Sequence, residues 1–145
     1  HSHEIEGLTE IRPGTYIYND MNYHSLGACE LEDCALKVRC RVVSTSVPDT
    51  AIIDGGSKTF SDAASMAGLG FGMVAGRPDA VCEKMNEEHG YVRTETTDWT
   101  PSPGDFVDVI PNHACTTVNM HRVLHLVRNG EVEEILPISA AGKIH

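Results

Sequence analysis

The chain of 145 residues is 41% hydrophobic and 22% charged, with 13 Gly and 7 Pro, enough apolar material for the core of a single domain. No repeat, heptad or polar low-complexity run is present, which excludes collagen, coiled coil and wholesale disorder, and no apolar run approaches the roughly 20 residues of a transmembrane helix. The formal net charge of −10 repels phosphate backbones, so neither nucleic acid nor a membrane is expected as a partner.

His1 to Glu10 shows no helix cap, no strand opening and no signal-peptide pattern. Residues 10–20, EIRPGTYIYND, then enter a fold as though another segment preceded them, and a piece of a larger protein is expected. Residues 34–47 alternate Ala35, Lys37, Arg39 and Arg41 against Leu36, Val38, Cys40 and Val42, the period-2 pattern of a half-buried strand. AIID (51–54) is a short buried strand running into the polar turn Asp54-Gly55-Gly56-Ser57-Lys58. Helix is expected only at 61–67 and 79–88. GLGFGMVAG (68–76) has the glycines of a dinucleotide loop but follows a Ser/Ala-rich stretch and runs into Arg77-Pro78, so it reads as a turned loop. PSPGD (101–105) is a turn, and FVDVIP after it alternates again. Residues 121–138 are the clearest element, two β-rich runs joined by Asn129-Gly130, the pair that supplies both positive φ angles of a type I′ turn. The expected fold class is all-β, an antiparallel barrel or sandwich with one or two short helices, as a single domain over 1–145.

Five cysteines, Cys29, Cys34, Cys40, Cys82 and Cys115, are an odd number for a closed disulfide framework, and the usage points to the cytoplasm. Most are expected to pack as small buried hydrophobes. Cys115 is the exception, because of its spacing from His113.

In an extended strand, residues i and i+2 share a face about 7 Å apart, so His113 and Cys115 in Pro111-Asn112-His113-Ala114-Cys115 can converge on one ion. Imidazole nitrogen and thiolate are both good zinc ligands. A closed structural zinc site has four ligands, so this pair is either a half-site open to substrate and water or a packed thiol beside a hydrogen-bonded histidine. His121 and His125, read as strand residues, lie roughly 13 Å apart, too far to share that ion. Lys58 reads as a solvated turn lysine, and Ser57 has no His/Asp relay.

Four motifs occur in order: Glu10-Ile11-Arg12-Pro13-Gly14-Thr15-Tyr16, Asp54-Gly55-Gly56-Ser57-Lys58, Glu87-Glu88-His89-Gly90 and Pro111-Asn112-His113-Ala114-Cys115. Together they resemble the C-terminal domain of the D-serine dehydratase / D-threonine aldolase family, fold-type III pyridoxal-phosphate enzymes related to alanine racemase, over residues 7–143. The resemblance implies an antiparallel β domain that follows an N-terminal α/β barrel, with about 7–20 as the exit from that barrel. It implies pyridoxal phosphate on a barrel lysine that no lysine here matches, so this chain alone is expected to be inactive. It implies that His113 and Cys115 bind zinc or manganese, and that Tyr18, or less well Tyr16, reaches the cofactor phosphate. The implied full-length enzyme is a homodimeric lyase acting on small D-3-hydroxy amino acids. Family aldolases more often carry Asp where Cys115 stands, which favours D-serine-type dehydration. D-threonine-type aldol cleavage and a non-catalytic metal-binding or interaction domain are the alternatives.

Overall fold

Alternating burial along the strands dictates the architecture. In the computed structural model, which describes residues 4–63, 66, 68 and 70–143, β1 (Val38–Ser44) turns Cys40 and Val42 inward and Arg39, Arg41 and Val43 to solvent. It pairs antiparallel with β2 (Thr50–Ile53) on one side and β6 (Phe106–Pro111) on the other. With β3 (Gly72–Val74), β4 (Cys82–Met85) and β5 (Gly90–Arg93), the order is β3-β6-β1-β2-β5-β4. The two ends nearly meet. The amides of Phe71 and Val74 donate to the carbonyls of Cys82 (2.8 Å) and Ala80 (2.9 Å), and Met73 bridges Val81. The result is a nearly closed six-strand antiparallel barrel, with 31% of residues in strands and 17% helical, as the alternation predicted.

The barrel interior is filled by Cys40, Val42, Ala51, Ile53, Phe60, Val74, Ala80, Cys82, Val92, Val107 and Val109. Residues of opposite parity, Met73 and Ile110, face outward and meet Met21 and Cys34 in a second cluster. That cluster seats α1 (Met21–Ser25) on the outside of β3 and β6. The other short helices are α2 (Ser57–Phe60) and α3 (Ala114–Met120), so three α-helices occur among the described residues where one or two were expected.

Several local expectations are corrected. Residues 79–88 contain strand β4 rather than helix, because Cys82 fills the barrel interior while β4 pairs with β5. The glycine-rich stretch 68–76 is not wholly loop: Gly72–Val74 pair with β6 as an edge strand. At 61–67 the described residues 61–63 and 66 are not helical, residues 64, 65 and 67 lie outside the described set, and the helical turn comes earlier, at α2. The strand β7 (Val123–Arg128) begins after His121, which instead ends α3. The hairpin is as expected: Arg128 pairs with Glu131 of β8 (Glu131–Pro137), with Asn129 and Gly130 at φ 51° and 83°. It forms a two-stranded sheet of its own, with Val123, Leu126, Val127, Val132, Ile135 and Leu136 exposed. Among the described residues, no helix is long and apolar enough to cross a membrane.

The second and third sequence motifs are one packed unit. The amides of Ser57 and Lys58 donate to the carbonyls of Asn86 (2.8 Å) and Glu87 (3.1 Å), and Lys58 pairs with Glu88 at 2.6 Å. The backbones close up at Gly90, where a Cβ would lie 2.7 Å from the Gly55 carbonyl oxygen and 3.0 Å from both Cys82 Sγ and Ile53 Cγ1. Gly90→Ala is therefore expected to destabilise by about 2–3 kcal/mol through overpacking. Gly14→Ala, which meets nothing within 4 Å, is expected to be near neutral. Urea denaturation compares the two; equal midpoints would contradict this packing.

Across β1 and β6, Arg39 and Asp108 stand opposite one another and form a two-point ion pair at 2.9 and 3.0 Å. The Arg39 guanidinium holds the Asp108 carboxyl below its ordinary value, chiefly by hydrogen bonding. A carboxyl depressed in the folded state adds stability above its unfolded pKa and loses it as pH falls through the folded one. Asp108→Asn is expected to cost about 0.2–1 kcal/mol at neutral pH, a partly exposed pair being screened by solvent. That difference should close as the pH drops below 3.8, the unperturbed value, in urea melts taken across the acid range.

Candidate metal centre

His113 and Cys115 do not share a strand. β6 ends at Pro111, and His113 becomes the N-cap of α3 with extended φ and ψ (−136°, 106°), while Cys115 lies inside the helix. The i, i+2 strand geometry is thus replaced by a helix start. The helix forms here because its first turn is satisfied locally and from afar. The hydroxyls of Thr116 and Thr117 donate to the His113 carbonyl at 3.1 and 3.0 Å, and the Ala114 amide donates to Asp20 Oδ2 at 2.9 Å. The same Thr117 hydroxyl lies 3.1 Å from the Phe60 carbonyl, to which its one proton can turn instead, and His121 Nε2 lies 3.1 Å from the Thr59 carbonyl, so both contacts link α3 to α2. That anchors His121 away from the pair, and His125 sits on the separate hairpin.

Asp20 is the residue that the sequence reading missed. Its carboxylate is 0% exposed and accepts from the starts of two helices: Oδ1 from the Tyr23 amide of α1 at 3.0 Å, Oδ2 from Ala114 of α3. His113 Nδ1 lies 3.4 Å from the same Oδ2. Nε2 makes no hydrogen bond among the described residues, and the half-buried ring lines a cavity of about 320 Å³ with Asn22, Tyr23, Leu26, Ala63 and Met66. Asn112 supports this corner: its Nδ2 donates to the carbonyls of Ala63 (3.1 Å) and Gly70 (2.6 Å), and its own carbonyl accepts from Asn22 at 3.3 Å. Asp before Met-Asn-Tyr is an ordinary N-cap signal for α1, the only trace of Asp20 in the sequence. Its second role, 94 residues away, leaves no local signature.

The five cysteines divide as expected. Cys34, Cys40 and Cys82 are buried, Cys29 is half-buried, and Cys115 is exposed, with Thr15 Oγ1 at 3.3 Å from its sulfur. Burial pushes the Cys40 thiol up to about 12 and that of Cys82 up to about 11, while Cys34 is raised to about 12 by burial and by neighbouring Cys29. Tyr18 is half-buried and Tyr16 exposed, and neither phenol hydroxyl is hydrogen-bonded among the described residues. Arg12 pairs with Glu10. Among the described residues no group of three or more His, Cys, Asp or Glu side chains is placed to hold a metal. An imidazole with a free nitrogen and an exposed thiol, backed by a buried carboxylate, suits a borderline-soft divalent ion with open positions.

The fold is a nearly closed antiparallel β barrel, and His113 and Cys115 follow its strand β6 directly in the chain. The chain belongs to the "Putative serine dehydratase domain" family, whose model matches residues 35–127. It is 34% identical over 139 residues to D-threonine aldolase of Arthrobacter sp, covering 92% of this chain and 35% of that protein. It is 31% identical over 130 residues to an uncharacterized protein of Mycobacterium tuberculosis, covering 87% and 98%. It superposes on D-threo-3-hydroxyaspartate dehydratase of Delftia sp. with a TM-score of 0.77 at 29% identity, covering 92% and 40%. That dehydratase is also solved as a histidine-to-alanine variant and, in a metal-free form, as a cysteine-to-alanine variant, the replaced positions lying two apart. The chain thus spans about a third of the length of the aldolase and 40% of the dehydratase.

Thiol accessibility tests this corner directly. Iodoacetamide at neutral pH is expected to modify Cys115 about tenfold or more faster than Cys40 and Cys82 in the folded protein. Peptide mapping by mass spectrometry checks it, and comparable rates at all three would contradict the buried barrel thiols.

Proposed function

We propose that this chain is the β domain of a metal-assisted, pyridoxal-phosphate-dependent lyase acting on small D-3-hydroxy amino acids. The observation that carries the reading is His113, with Nδ1 toward the buried Asp20 carboxylate and Nε2 unbonded among the described residues, two positions before the exposed Cys115 thiol. The spacing matches that of the histidine and cysteine replaced in the Delftia dehydratase variants, one of which is a metal-free form.

In this reading His113 Nε2 and the Cys115 thiolate hold zinc or manganese and leave its other positions open. When bound, the metal polarises the substrate's β-oxygen as a Lewis acid and pyridoxal phosphate stabilises charge at Cα. Asp20 keeps the His113 ring oriented. The free phenol of Tyr18, with Tyr16 as the less enclosed alternative, donates to the cofactor phosphate. Residues 7–20 are the exit from an N-terminal α/β barrel that carries the cofactor lysine, and the uncovered apolar side chains of the β7–β8 hairpin give that barrel or a second subunit a surface to pack on. The full-length protein is a cytoplasmic homodimer, and this chain by itself is inactive.

Dehydration of a D-serine-type substrate is the leading reaction, since a thiolate rather than a carboxylate stands at Cys115. Aldol cleavage is the second reading, favoured by the 34% identity to D-threonine aldolase. Chelator treatment of the full-length protein is expected to abolish turnover and zinc to restore it. Cys115→Ala is expected to lower turnover by about 100-fold while leaving the denaturation midpoint nearly unchanged. Full activity in metal-free protein, or in Cys115→Ala, would return the pair to a packing role.

A further inference from the structure

We infer that the segment 15–20 braces both metal ligands from behind, Asp20 fixing the tautomer and orientation of His113 and Thr15 supplying a hydrogen bond to the Cys115 sulfur. The inference rests on the metal reading above and assigns positioning roles to Asp20, which no sequence motif included, and to Thr15, which the first motif contained without a role. Thr15 lies in a single 3-10 turn, Thr15–Ile17, and Asp20 follows it by five residues. Both partners lie about a hundred positions further along the chain, so one short segment meets both members of the pair.

The carboxylate of Asp20 is withdrawn from solvent, and a buried anion is tolerated only where donors surround it. Two donors are backbone amides, Tyr23 at 3.0 Å and Ala114 at 2.9 Å. The third neighbour is His113 Nδ1 at 3.4 Å. Facing an acceptor-only group, Nδ1 carries the proton, and the lone pair is then on Nε2, the nitrogen with no partner among the described residues. With Nδ1 facing the carboxylate, Nε2 is the nitrogen that would hold an ion, the usual relation between a ligating histidine and a carboxylate behind it. At the other ligand, Thr15 Oγ1 stands 3.3 Å from Cys115 Sγ, and only a donating hydroxyl suits a thiolate. That bond holds the sulfur against the segment that also carries Asp20.

The full-length protein and its Asp20→Asn and Thr15→Val variants test this. Zinc affinity is measured by competition with a chromophoric chelator at pH 8, the His113 tautomer by imidazole 15N NMR of the metal-free protein, and the cobalt-substituted protein by absorption spectroscopy. Wild-type protein is expected to bind zinc and to show His113 protonated on Nδ1. In Asp20→Asn a neutral amide oxygen replaces the carboxylate oxygen that faces both the Ala114 amide and Nδ1, so Nδ1–H is held less firmly, and a larger share of the Nε2–H tautomer is expected, with zinc affinity lowered about 10- to 100-fold. Thr15→Val is expected to lose about two- to tenfold and to move the sulfur-to-cobalt charge-transfer band to lower energy, as an unbonded thiolate is the better electron donor. Because Asp20 also caps two helices, its variant can lose stability, and in that event Thr15→Val and the wild-type tautomer carry the test. Zinc affinities within twofold of wild type in both variants, or a wild-type His113 protonated on Nε2, would overturn the inference while leaving the metal reading in place. A wild-type protein that binds no zinc overturns the metal reading itself, and this inference with it.

Discussion

A single buried carboxylate organises the corner of this molecule where α1 and α3 begin. Asp20 accepts from the first turns of α1 and α3 and stands against His113, so one side chain joins the segment that enters the domain to the corner after β6. Each contact depends on the others: without the Ala114 amide the carboxylate loses a donor, and without Asp20 the start of α3 loses its acceptor and the His113 ring its neighbour. Buried charges persist only when several donors converge on them, and the convergence fixes geometry more firmly than any one bond would. The barrel supplies the rigid frame, through the pairing of β6 with β1 and β3, on which that corner is mounted.

The frame has its own constraint in the approach of backbones at Gly55, Gly56 and Gly90. Two motifs that mark the family in sequence, Asp54 to Lys58 and Glu87 to Gly90, meet here with no room for side chains. Their polar residues are absorbed locally. Lys58 pairs with Glu88, and Asp54 accepts the Arg41 amide at 2.7 Å. These motifs pack the segment after β2 against the β4–β5 turn, whereas Thr15, His113 and Cys115 belong to the candidate site.

What the sequence made legible follows from the range of the interactions involved. Alternation in β1 and β6 and the Asn129-Gly130 turn are local signals, and the barrel and hairpin could be read from them. Residues 79–88 could not, because β4 is a strand only by virtue of its pairing with β5 and the inward packing of Cys82. The extended reading of His113 and Cys115 failed for a similar reason: the helix start that replaces it is stabilised by an acceptor 94 residues away. His113 and Cys115 stood out in the sequence as two ligand-type residues at close spacing, and Cys115 is the exposed thiol where Cys34, Cys40 and Cys82 are buried. Asp20 and Thr15 were invisible because their relation to the pair exists only in three dimensions.

The central claim is that His113 and Cys115 together form an open, mixed-ligand metal position. X-ray absorption at the zinc edge of the natural full-length protein examines it most directly. The account predicts one sulfur at about 2.3 Å, with the remaining shell made of nitrogen and oxygen at about 2.0–2.1 Å and including one imidazole. Cys115→Ala should remove the sulfur scattering without altering the rest of the fold. A shell of four sulfurs, a shell with no sulfur at all, or zinc that never exceeds trace occupancy would contradict it.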